Sequence, residues 1–423
     1  MTALIAAAPG KIDSGDTAWM LVSTALVMLM TPGLGLFYAG LVRSKNTLNT
    51  FMMSVSALGV VTVTWALVGY SLAFDKGNGF IGGLHNVFLN HVGLGPGRGL
   101  AIPMLLFMAY QATFCIITAA LISGAVVERM RFGPFLVFMV VWSCVVYAPM
   151  AHWVWGGGWL ASRGTLDWAG GVPVEMASGF SAFAAALVVG ARKDYGRRAF
   201  LPHNSVYVLV GAGLLWFGWF GFNGGSALNA GSGAVLSFTN TLLAPAATLS
   251  MWLLLDFLRG GKATAIGAAT AIVVGAVVIT PAAGYISPMS ALLLGALGAL
   301  PSYFFIVWRP RTSLDETLDV LAAHGLSGFT GILFIGLFAQ AGWNGITNGL
   351  FFGHAAQLAH QALAVIAAPA YAFGCTYVLL RVMALVTPLR VNDRDEGLGL
   401  DVSQHGEEAY VQGDGAILIH QEG

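Results

Sequence analysis

Apolar positions along this chain gather into long unbroken runs, and polar positions fall between the runs rather than alternating within them. Crossing the apolar core of a bilayer takes about 20 helical residues. Runs of that length predict helices over 17–42, 48–74, 101–127, 132–153, 169–191, 203–224, 234–258, 263–282, 287–308, 325–343 and 359–388. The short alternating segments of a membrane barrel are not found. The reading is therefore an all-α integral membrane protein with eleven transmembrane helices.

Composition sharpens that reading. Charged residues make up 9% of the 423-residue chain and apolar residues 57%, before its 56 glycines are counted. A soluble domain carries about 25% charged residues, so this chain lacks the polar surface to cover a water-exposed core. Formal net charge is zero and no basic stripe suggests nucleic acid. Cys115, Cys144 and Cys375 each sit inside an apolar run, without metal-ligand spacing. The opening MTALIAAAPGKIDSGD lacks the charged and apolar regions of a cleaved leader, so the first span is expected to act as its own insertion signal.

The placement of charge orders the spans. Arg43 and Lys45 follow the first, Arg129 and Arg131 the third, and Arg192, Lys193, Arg197 and Arg198 the fifth. Arg259 and Lys262 follow the seventh, Arg309 and Arg311 the ninth, Arg390 and Arg394 the eleventh. The even-numbered loops hold only Lys76, Arg98 and Arg163. Basic loops stay in the cytoplasm, which predicts an outside N-terminus and an inside C-terminus. Residues 1–390 then form the membrane domain, and the polar, Gly-rich residues 391–423 a cytoplasmic tail suited to docking.

Two segments repeat each other. Glu175-Met-Ala-Ser-Gly-Phe-Ser181 and His324-Gly-Leu-Ser-Gly-Phe-Thr330 share a Ser-Gly-Phe core behind the one ionisable residue of each. They belong to the fifth and tenth spans, which run in opposite directions. Such inverted repeats place a binding site near the membrane midplane. Ionisable groups there are costly and point to function, and the small neighbours allow close helix approach.

The stretches DTAWMLVSTALVMLMTPGLGLFYAGLVRSKN, AHWVWGGGWL, DWAGGVPVEMASG, FGWFGFNGGSA, TPAAGYI and GLDVSQHGEEAY together resemble the ammonium transporter family (Amt/Mep/Rh) over essentially the whole length. The resemblance implies an inverted 5+5 arrangement plus one helix, a homotrimer with one pore per protomer, and transport of ammonium, with methylammonium as an analogue. By position it implies a recruitment site for the cation from Tyr110, Phe114, Trp155 and Ser226, a gate of Phe114 and Phe222, and a structural carboxylate at Asp167. It implies a pore relay at Glu175 and His324. Glu175 departs from the family's usual histidine there, which puts a two-imidazole relay in doubt.

The chemistry of those residues fits a cation. Aromatic faces attract one with about 0.5–2 kcal/mol each, and a hydroxyl acceptor gives an ammonium N–H a direction that potassium cannot use. Beyond the gate a neutral species crosses far more cheaply than an ion. His324 and Glu175 would accept the released proton as a coupled unit. Asp167, ahead of a helix in a Gly-rich stretch, reads equally as an N-cap. His152, His203, His354 and His360 near span ends read as packing residues; His85 and His91 lie in a loop.

Competing readings are an ammonium sensor on the same fold and a less selective cation channel, which Glu175 favours. No nucleotide, zinc or nucleophile motif supports an enzyme, and no cofactor is implied. The tail motif GLDVSQHGEEAY implies, through the resemblance, a possible PII-type partner at the cytoplasmic face. The cell membrane is the expected location.

Overall fold

The computed structural model describes residues 11–410, so the opening ten residues, with the expectation about a leader, and residues 411–423 of the tail lie outside the described residues. Eleven main helices carry the chain. They are α1 (Ser14–Leu41), α2 (Ser44–Phe74), α3 (Met104–Val126), α4 (Phe132–Ser162), α5 (Gly171–Val189), α6 (Ser205–Gly225), α7 (Ser232–Gly260), α8 (Ala265–Ile279), α9 (Pro288–Arg311), α10 (Leu321–Phe338) and α11 (Ala356–Val386). Ten are long and apolar enough to cross a membrane, and α8 is shorter. Among the described residues there is no strand, only two isolated bridges. The protein is a multi-pass membrane protein.

Helix starts coincide with side chains able to accept the amide protons a first turn leaves free. Asp13 accepts from Asp16 N, Asn204 from Val206 N and Tyr207 N, Thr264 from Gly267 N, and Ser287 from Ser290 N. Prolines sit inside α1, α7, α9 and α11, where neighbouring helices compensate the lost bond. Glycines set the closest crossings. Along α6, Gly211 faces the backbone of Phe37, Gly218 the side chain of Met30 and Gly221 that of Leu26, so α1 and α6 pack backbone to backbone.

The spans differ from the hydropathy reading by up to nine residues at an end, most at α4, which runs to Ser162 and not 153, and two of the differences have a local cause. Helix α8 ends at Ile279 because the chain turns at Thr280 and Pro281; its inner half is wholly buried, so protein rather than lipid satisfies the turn. Helix α10 starts at Leu321, not 325, and ends at Phe338, not 343. Polar residues Asp315–Asp319 look like loop, but Glu316 folds back to accept from Val320 N (2.6 Å) and Leu321 N (3.1 Å) and starts the helix four residues early. His324 therefore lies within the first turns of α10 and not at its edge.

The loops after α1, α3, α5 and α9 converge on one face, together with the tail. Glu128, fully buried, bridges Arg43 (2.8 Å) and Arg192 (2.5 Å) and accepts from Asn46 (2.8 Å). Arg192 also pairs with Asp315 at 2.8 Å. The tail adds two short helices, α12 (Asp393–Leu398) and α13 (Leu400–His405). Glu396 accepts from Lys193 N and Arg390, and Asp401 from Leu48 N and Asn49 N, so the tail caps α2 and ties down the α5–α6 loop.

Burial pushes the Glu128 carboxyl up, but the guanidiniums of Arg192 and Arg43 outweigh it and hold the group below its ordinary value of 4.5. A carboxylate with a lowered folded value stabilises the protein above its unfolded value and loses that contribution as pH falls through the folded one. Thermal melts of the purified protein are thus expected to be flat from pH 7 to about 5 and to fall steeply below about 4. Glu128→Ala takes the carboxylate from half-buried Arg43 and leaves buried Arg192 to Asp315 alone, and is expected to cost about 2–3 kcal/mol at neutral pH. A melting temperature equal to wild type would contradict this.

Candidate functional site

On the face opposite the tail, three elements build an aromatic cup. Helix α3 presents Tyr110 and Phe114 one turn apart, the end of α6 presents Phe222 and Ser226, and the opened stretch of α4 presents Trp155. The Phe114 and Phe222 rings stack with centroids 4.1 Å apart at 29°. Trp155 stands edge-on to Phe114 at 5.9 Å, and Tyr110 at 4.9 Å. These rings are almost completely enclosed.

The hydroxyls in the cup are oriented by the frayed end of α6. Ser226 Oγ donates to Phe222 O at 2.8 Å. Tyr110 Oη lies 2.8 Å from Phe222 O, 3.0 Å from Gly221 O and 3.3 Å from Ser226 Oγ. Carbonyls at a helix C-terminus are acceptors without intrahelical donors, so both hydroxyl protons turn toward the backbone. Oxygen lone pairs are left facing the cup, which suits a ligand that donates hydrogen bonds.

Asp167 supports the cup from behind. Its Oδ1 accepts from Gly170 N and Gly171 N at 2.8 Å each, and its Oδ2 from Val172 N at 2.7 Å. The carboxylate caps α5, while its own carbonyl accepts from the Trp155 indole at 3.1 Å. Gly170 sits at φ 121°, a backbone state that glycine adopts freely.

Glu175 and His324 lie on the other side of the stacked rings. His324 Nδ1 and Glu175 Oε2 are 2.7 Å apart, and both side chains are buried. Each occupies a widened π-helical turn, Gly171–Met176 in α5 and Leu321–Leu326 in α10. Such turns recur at functional sites. The repeat segments contact each other reciprocally. Gly179 faces the backbone of His324 and Gly325, while a Cβ on Gly328 would fall 2.6 Å from Cβ of Glu175. Among the described residues, Glu175 Oε1 has no hydrogen-bond partner.

A cavity of about 990 Å³ begins at Phe222, Glu175 and His324 and continues to the basic loops of the tail face. Phe222 lines it, but Tyr110, Phe114, Trp155 and Ser226 do not. The stacked rings therefore separate cup from cavity. Of the candidate site residues, Tyr110, Phe114, Trp155 and Ser226 fall in the cup, Glu175 and His324 on the cavity, Phe222 on both, and Asp167 behind the cup.

Three contributors escaped the sequence reading. Glu316 precedes His324 by the same eight residues that separate Asp167 from Glu175, and each acid caps its helix; that spacing was a usable signal. Arg98 donates to Phe74 O at 2.6 Å and to Trp155 O at 3.3 Å, resting on the Phe74 and Phe107 rings. In sequence it was merely one of the few cations in an even-numbered loop. Trp219 lines the cavity beside Phe222 and donates to Thr280 Oγ1 at 2.9 Å. Among the described residues no cluster of side chains is suited to hold a metal.

Comparison with known proteins follows the same outline. The model of the family described as "Ammonium Transporter Family" matches residues 18–410. The chain is 44% identical over 402 residues to a Bacillus subtilis protein named "Ammonium transporter", covering 94% of this chain and 99% of that one. The crystal structure of Candida albicans Mep2 superposes with a TM-score of 0.87 at 37% identity, covering 94% of this chain and 91% of that one. A structure named "Sensor Amt Protein" gives a TM-score of 0.86 at 29% identity, covering 92% and 98%.

The reciprocal glycine contact gives a direct test. Gly328→Ala has no room against Glu175 and is expected to destabilise the protein by about 1–3 kcal/mol and to widen the Glu175–His324 separation. Gly374→Ala, where nothing lies within 4 Å of the added methyl, should melt with the wild type. Equal melting of the two variants would refute the packing argument.

Proposed function

The chain belongs to the ammonium transporter family, and from that premise we propose that it carries ammonium, and methylammonium as its analogue, by recruiting the cation in the aromatic cup, removing a proton, and passing ammonia and the proton through the cavity. The family is one of membrane transporters and not of enzymes. The observation that carries the reading is the position of the Glu175–His324 contact, immediately beyond the stacked Phe114–Phe222 pair.

The steps follow from the geometry. Trp155, Tyr110 and Phe114 replace water around the incoming cation, and Ser226 accepts one N–H. The stacked rings leave no space for a hydrated ion, whereas ammonia carries no charge to desolvate. The proton passes to the Glu175–His324 unit, whose carboxylate and imidazole share one short contact. Asp167 holds the start of α5, and with it Glu175, in register with Trp155.

The bias of basic loops toward the cytoplasm supports a tail face inside the cell and a cup outside, in the cell membrane. Residues 1–390 act as the transporter body, and residues 391–423 as a regulatory segment on which a PII-type protein could act; residues 391–410 already rest on the inner loops. The family resemblance supports a homotrimer.

A sensor is the second reading, favoured by the likeness to the "Sensor Amt Protein" fold. Transport separates the two. Current after an ammonium pulse across a membrane holding the purified protein is expected to be transient and saturable. It should fall by about 10² or more in Glu175→Ala, the scale of a lost general base. Ammonia accumulation without current would refute the proton-relay role, and neither signal would favour the sensor.

Glu175 also sets charge tolerance. A carboxylate can neutralise a passing cation and a neutral imidazole cannot. Potassium leak is therefore expected to be greater in the wild type than in Glu175→His, and equal leak in both would sink the idea.

A further inference from the structure

The mouth of the cavity is positively charged beyond what its ion pairs neutralise. Of the basic residues lining it, Arg43 and Arg192 are held by Glu128, and Arg309 by Asp319 at 2.5 Å. Arg197, Arg198, Arg259 and Lys262 also line it, are exposed, and among the described residues make no ion pair within 4.0 Å. The remaining lining carboxylate at the rim is Asp256, which accepts from Thr264 N and Oγ1. Four cations thus face one carboxylate.

The charge bias of inner loops does not require this arrangement. Arg131, Arg390 and Arg394 satisfy the same bias, yet none of them lines the cavity. The placement of the other four has a consequence for a pore that moves a cation's components. A cleft lined by one sign of charge lowers the local concentration of ions of that sign. Neutral ammonia is unaffected. At low occupancy such a field cannot make a pore one-way, because it alters entry and exit equally. What it changes is loading: a given internal concentration of cation occupies the Glu175–His324 site less often.

Resting on the transport reading above, we propose that Arg197, Arg198, Arg259 and Lys262 form an electrostatic filter that keeps cytoplasmic ammonium and potassium from loading the Glu175–His324 site, so that uptake is not inhibited from inside. A buried carboxylate at the end of an open cavity would otherwise be an attractive cation site. The filter therefore complements Glu175: the residue that tolerates positive charge is guarded on the side where potassium is abundant.

The test uses the full chain in right-side-out membrane vesicles from a host without its own ammonium transporter. Initial methylammonium uptake is measured against rising internal ammonium, and separately internal potassium, at about 0.01 M and about 0.15 M ionic strength. Wild type, Arg197→Gln/Arg198→Gln and Arg197→Glu/Arg198→Glu are compared. For an effective separation on the order of 10 Å between the two charges and the loaded cation, neutralisation is expected to lower the half-inhibiting internal concentration about threefold at low salt. Reversal should lower it by roughly the square of that factor, and both effects should shrink to about 1.5-fold or twofold at the higher salt. Uptake with neither ammonium nor potassium inside should match the wild type in both variants, which also checks their folding. Unchanged half-inhibiting concentrations at low salt, with normal uptake, would overturn the filter while leaving the transport reading intact. Absence of uptake by the wild type would overturn the transport reading and the filter with it.

Discussion

Two short helices starting from opposite faces meet at the 2.7 Å contact between Glu175 and His324, and most of the surrounding structure is what holds them there. An ionisable pair inside a membrane protein is tolerated where its partners are fixed and lipid is excluded. Here the fixing is done three times over. Asp167 and Glu316 cap the two helices from equivalent positions, Gly179 and Gly328 let them approach, and π-helical turns swing both side chains inward. Each device occurs twice because the chain repeats itself in inverted form. Losing a device on one side would move one helix against the other and not both together.

The spans were legible because a bilayer leaves little freedom: backbone amides must pair internally, so apolar runs become helices. The parity of basic loops checked their number, and the Ser-Gly-Phe repeat alone was enough to single out Glu175 and His324. What stayed hidden were charges that serve the backbone. Glu316 looks like part of a polar loop because a carboxylate capping a buried helix end has the same sequence appearance as a solvated one. The same is true of Glu128, a minor member of a basic loop by sequence, which lies fully buried between two guanidiniums. Arg98 was invisible for a different reason: its partners are carbonyl oxygens, and no side-chain pattern encodes those.

The tail face shows how paired and unpaired charge divide the labour. Pairs such as Glu128 with Arg192 and Asp315 with Arg192 are enclosed, and an enclosed charge must be partnered. They join the loops after α1, α3, α5 and α9, and the tail locks onto the same loops through Glu396 and Asp401. Buried Arg129 is held by backbone carbonyls instead; among the described residues, the cations of the cavity mouth that make no ion pair are exposed, where water and salt carry the cost, and on the proposal above they shape the field there. Burial thus converts charge into structure, and exposure leaves it available for selectivity.

In the proposed transport route, cup, stacked rings and contact are connected by one energetic requirement. Three aromatic faces and a hydroxyl return a few kcal/mol to a dehydrating cation, at about 0.5–2 kcal/mol per ring. Moving the intact ion past two phenyl rings stacked at 4.1 Å into an apolar passage costs at least as much again. Retaining the charge on the substrate would cancel what the cup supplies. On the proposed route, giving the proton to a fixed acceptor removes the penalty from the moving species and assigns it to a pair that the surrounding helices hold in contact. A carboxylate in that pair lowers the barrier to a positive charge, and with it the barrier to any other monovalent cation. Selectivity then has to come from the ends of the path: directional acceptors in the cup on one side, and a positive mouth on the other.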